Sequence, residues 1–159
     1  MIWNKLYPCI VDSKGKHISD EVFNSYLLNP NLFSDQWREW FKFDKRGLDF
    51  YKRIAHDRGS DERVLFAIAK NTISIGKNYI SQFIPIISEM LTTNSYISIY
   101  DKNKLSGSIF YLQNIISEEL SNNEAKVKDN SVYRQCVLNI LSFMERSGSA
   151  WAAEIMRTF

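Results

Sequence analysis

The residues of widest chemical scope in this chain are His56 and Asp57, adjacent in Ile54-Ala-His-Asp-Arg58. A histidine changes charge near neutral pH, and a neighbouring carboxylate can orient its ring, so the pair is the candidate for a general base. Against that stands a plainer reading, which the sequence favours. Near a helix C-terminus a cationic imidazole complements the dipole and needs no further role. No catalytic residue is therefore assigned. The only other histidine, His17, follows a turn signal. The two cysteines, Cys9 and Cys136, have neither a C-x-x-C spacing nor a nearby histidine. A metal centre needs several such ligands converging, so no metal and no cofactor are expected. The six glycines are scattered, which leaves no phosphate-cradling loop. Glu118-Glu119 and Asp61-Glu62 are neighbours in sequence; on a helix they diverge by about 100° and make no acid/base pair.

A second chemistry is suggested by the run from Asp35 to Arg53, where rings and cations alternate most densely. Trp37, Trp40, Phe43, Phe50 and Tyr51 could stack on bases, and Arg38, Lys42, Lys45, Arg46, Lys52 and Arg53 could meet phosphates. Asp35, Glu39, Asp44 and Asp49 cancel much of that charge, and the net charge of the whole chain is only +2. Helical register also puts Trp37, Trp40 and Phe41 on one face, as in a helix anchored to a core, with Arg38 and Lys42 on another. The outer side, Arg38 and Lys42, together with the turn signal Asp44-Lys45-Arg46-Gly47, is the candidate partner-binding set.

The elements that must position these groups read as helices. Hydrophobic residues make up 45% of the 159, enough for a core of ordinary size. The expected fold is mainly α, a compact single-domain bundle of six to seven helices. Helices are expected at about 20–28, from Ser34 onward, and at 48–57 after a break at Gly47. Further helices are expected after Ser60 as N-cap, over 78–92 and 105–120, and after Ser131 as N-cap. A short last one starts at Ser149. Pro85 predicts a kink or a break in 78–92, the polar run 121–130 reads as a mobile loop, and Gly148 as a left-handed C-cap. Cys136 falls on an apolar face and reads as core. Residues 6–11 and 96–100 are the candidates for a minor two-stranded β element.

No stretch reads as a membrane span, and Met1 to Pro8 lack the features of a signal peptide. The expected setting is the cytoplasm, with a protein as partner rather than a membrane. The leading expectation for function is a small binding domain that occludes a partner's surface, the broad class to which immunity proteins and antitoxins that block a toxin enzyme belong. The alternatives are nucleic-acid binding through 35–58 and an enzyme built around His56 and Asp57.

Overall fold

A computed structural model describes residues 45–75, 79–94, 96 and 102–159. Six helices follow one another: α1 (Lys45–Arg58), α2 (Glu62–Ile75), α3 (Ile80–Thr93), α4 (Lys102–Asp129), α5 (Ser131–Arg146) and α6 (Ala150–Met156). There is no strand among the described residues. Residues 6–11 and 97–100, and the expected helices before residue 45, lie outside them, as do Trp37, Trp40 and Phe41.

Each helix forms because its apolar residues recur with helical period and find a partner face. On α1, Leu48, Tyr51, Ile54 and Ala55 make the stripe; Tyr51 and Ile54 are fully buried. Val64, Leu65, Ile68 and Ala69 do the same for α2. In α3 the stripe Ile80, Ile84, Ile87 and Leu91 is widened by Phe83 and Met90, so most of its circumference is buried. That puts α3 at the centre, packed on α1, α2, α4 and α5. The ring of Phe83 meets Tyr51 edge to face at 5.1 Å, an arrangement worth about 0.5–1.5 kcal/mol beyond the area buried. One apolar cluster draws on all six helices, with Cys136 packed at its margin.

Five local expectations are corrected. The first described helix begins at Lys45, so Lys45, Arg46 and Gly47 are helical and the break at Gly47 does not form. At α2 the cap is Asp61, one residue later than Ser60: its Oδ1 accepts from Arg63 N at 2.9 Å. At α5 it is Asn130, not Ser131, with the side chain accepting from Tyr133 N at 3.0 Å. Both shifts follow from chemistry, since an Asp or Asn side chain caps at least as well as serine. Fourth, of the two outcomes expected at Pro85 the break does not form: α3 is one helix through it. The proline lies on the exposed side, where water can replace the backbone bond it removes.

The fifth correction concerns residues 121–130, which continue α4 as helix as far as Asp129. Asn123 leaves helical angles (φ −137°, ψ 33°) and bends the path. Beyond it Val127 is fully buried, and Lys128 pairs with Glu124 at 2.7 Å. A polar run with one apolar anchor is thus a solvated helix. The expected left-handed glycine does form at Gly148, with φ 98°, one residue past the Ser147 C-cap, and Ser149 caps α6 by accepting from Ala152 N.

Candidate functional site

Of the charged residues singled out in the sequence, Arg38, Lys42 and Asp44 lie outside the described residues. Lys45 and Arg46 open α1, so their positions on the chain are fixed by its first turn. His56 and Asp57 occupy its last turn, His56 exposed and Asp57 half-buried. Consecutive positions on a helix point about 100° apart, and His56 faces a different neighbour from Asp57. It lines an open cleft of about 270 Å³ with Ala55, Ile86, Glu89, Met90, Thr93 and Asn94. The floor is apolar: Ala55, Ile86 and Met90 are buried. The rim is polar, formed by exposed His56, Glu89 and Thr93 and half-buried Asn94.

The cleft's rim is held by its own hydrogen bonds. Thr93 Oγ1 donates to the Glu89 carbonyl at 2.7 Å. Asn94 Nδ2 donates to the Met90 carbonyl at 2.9 Å and to Thr93 Oγ1 at 3.2 Å. Just beyond, the Tyr96 hydroxyl donates to the Gly59 carbonyl, and its ring rests edge-on against Phe143. This ties the chain after α3 to the α1–α2 turn. Burial, then the nearby charges of Glu62 and Asp61, raises the Tyr96 hydroxyl above the ordinary tyrosine value.

A second arrangement lies across α2 and α4. Phe66 and Tyr111 meet edge to face at 5.5 Å, and Tyr111 meets Phe110 at 5.4 Å. Phe110 is 61% exposed and Phe66 38%, so these two rings, each against half-buried Tyr111, form an aromatic surface at the edge of the core. The helices approach closely here because position 107 is glycine: a Cβ on Gly107 would stand 2.8 Å from the Phe66 ring. Sequence reasoning missed this surface. The signal was available, since Phe66 falls off the buried stripe of α2 and Phe110 off that of α4.

The buried polar groups serve packing. Glu119, 1% exposed, accepts from the Tyr133 hydroxyl at 2.6 Å and from Asn123 Nδ2 at 3.3 Å. Lys126 sits over the Tyr133 ring at 4.8 Å. Burial first, then the bond to Glu119, pushes the Tyr133 hydroxyl well above its ordinary value. Between α3 and α5, Asn139 Nδ2 donates to the buried Ser88 hydroxyl at 3.0 Å. Among the described residues no three His, Cys, Asp or Glu converge to hold a metal ion. No helix of the described residues is long and apolar enough to cross a membrane. The chain matches no protein-family model, no curated protein and no solved structure.

Proposed function

We propose that the chain is a protein-binding domain that acts by covering a partner's surface, with Phe110, Tyr111 and Phe66 as its contact. The observation that carries this reading is two exposed rings, Phe66 and Phe110, each in contact with half-buried Tyr111 on the α2–α4 face. Single exposed apolar residues are ordinary, whereas contiguous ones mark interaction sites. Aromatic side chains are enriched among the residues that dominate binding energy, because they bury much area at small entropic cost. The helices beneath them are anchored by fully buried Leu65, Ile68, Leu112 and Ile115, so the surface is rigid before contact.

Within that reading, the finer proposal is an inhibitor of immunity or antitoxin type, acting in the cytoplasm on a toxin encoded beside it. The charged run Arg38, Lys42, Asp44, Lys45 and Arg46 forms a second contact set in the same proposal, setting association rate more than affinity. The test is binding and neutralisation of the products of adjacent genes by the full chain and by its Phe110→Ala variant. The variant is expected to bind about thirtyfold more weakly, the effect of losing about 2 kcal/mol at a dominant contact. Equal binding by both would remove the aromatic face from the account. Binding to nucleic acid that falls steeply with salt would replace the protein partner by a polyanion.

A further inference from the structure

We infer that the cleft between α1 and α3 is a binding site for an alkyl cation, a guanidinium or ammonium group carried on a short apolar stem. The site is separate from the aromatic face and does not depend on it. Four observations lead there.

The first is shape. The cleft's buried floor of Ala55, Ile86 and Met90 offers apolar surface to a stem, and its volume of about 270 Å³ is open to solvent. Long cationic side chains bind in this way, stem on apolar surface and head at a polar rim.

The second is the balance of donors and acceptors. The rim's hydroxyl and amide donors are already used within the helix: Thr93 Oγ1 on the Glu89 carbonyl, Asn94 Nδ2 on Met90 and Thr93. The one carboxylate among the lining side chains is that of Glu89, beside His56 and Asn94. The third is that Glu89 makes no ion pair among the described residues, although it stands at the rim of a cleft. A carboxylate at the rim of a cleft with an apolar floor suits a group that carries several N–H donors and a positive charge.

The fourth is the backbone. The cleft is lined by Ala55 and His56 from the last turn of α1 and by the last two turns and cap of α3, so it lies beside the C-terminal, negative end of both helices. The last turn of α1 carries His56 and Arg58, but the last turn of α3 has no basic residue. A cation in the cleft supplies the complement that α3 lacks. An anionic ligand would meet the carboxylate and both dipole ends with the wrong sign.

The same chemistry reaches the cleft from two sources, a free small guanidinium or an arginine side chain of another protein. The experiment separates them by titrating the ¹⁵N-labelled full chain with ethylguanidinium and, in parallel, with N-acetyl-arginine N-methylamide. Propanol serves as the uncharged control. Saturable shifts confined to Ala55, His56, Glu89, Met90, Thr93 and Asn94 amides are expected, weakening with added salt and absent with propanol. Shifts with ethylguanidinium alone assign the site to a free ligand; shifts with both admit a side chain. Glu89→Gln, at an exposed position that leaves the fold intact, is expected to weaken binding roughly fivefold. Thr93→Glu, which adds a second carboxylate at the exposed rim, is expected to strengthen it by a similar factor. Absence of saturable shifts, or affinities unchanged in both variants, would overturn the inference.

Discussion

Replacing Tyr133 by phenylalanine isolates one hydrogen bond in the interior of the bundle. Tyr133 is 6% exposed and its hydroxyl meets Glu119 Oε1 at 2.6 Å. Phenylalanine keeps the ring, its packing and the Lys126 ammonium above it at 4.8 Å, so only the hydroxyl is lost. Glu119 then retains the longer bond from Asn123, at 3.3 Å, and has one oxygen without a donor in a place reached by almost no water. Leaving a buried acceptor unsatisfied costs about 1–3 kcal/mol, so the expected loss is about 2 kcal/mol. For a chain of this size that lowers Tm by about 4–8 °C. The assay is urea unfolding followed by circular dichroism, with the midpoint shifted and the slope unchanged. Glu119→Leu combined with Tyr133→Phe removes the buried acceptor together with its hydroxyl donor and is expected to recover part of the loss, since the remaining donor, the half-buried Asn123 amide, can turn to water. A Tyr133→Phe loss below about 0.5 kcal/mol, the scale of an ordinary surface substitution, would refute the reasoning.

Three further outcomes are expected. Val127→Ala removes the apolar anchor of the segment after Asn123 and costs about 1–2 kcal/mol; amide exchange over 124–129 accelerates more than elsewhere, and uniform acceleration would contradict the anchoring role. Gly107→Ala drives a methyl group into the Phe66 ring while gaining helix propensity of about 1 kcal/mol; stability stays within about 1 kcal/mol of the parent while the ring resonances of Phe66 and Tyr111 move, and unmoved resonances would deny the contact. At high pH the sign is fixed by Tyr51, Tyr96 and Tyr133, whose hydroxyls are raised, first of all by burial. Above the unfolded value of about 10 the unfolded chain binds fewer protons than the folded one, so stability is complete below that pH and falls as pH rises beyond it. Absorbance of the tyrosinate form, followed with helicity, is expected to show these three ionising only as the helices melt; their ionisation in an intact fold would count against their burial.

The helices were legible where apolar residues repeat with period and meet a partner face. The stripes of α2, α3 and α5 follow that rule, as Val64 to Ala69, Ile80 to Leu91 and Tyr133 to Met144 show. The reading failed where composition stood in for period. Residues 121–130 look like a loop because nine of ten are polar or small, yet Val127 alone holds their helix to the core. Caps were misplaced by one residue where serine stood beside a better acceptor, Asp61 or Asn130. The aromatic face was hidden for a different reason. Phe110 and Tyr111 are neighbours on α4, but Phe66 is far from them in sequence, and only the packing of α2 on α4 brings it to Tyr111. The cleft at His56 is likewise tertiary, since Glu89 and Asn94 reach it from α3.

The central claim is that the α2–α4 rings form a protein contact. Its most direct measurement is the affinity of the full chain and of Phe110→Ala for the product of an adjacent gene, by calorimetry, with circular dichroism confirming equal helicity. The account predicts a specific complex whose affinity falls about thirtyfold on truncation. A complex of equal affinity in both chains, with helicity unchanged, would contradict it.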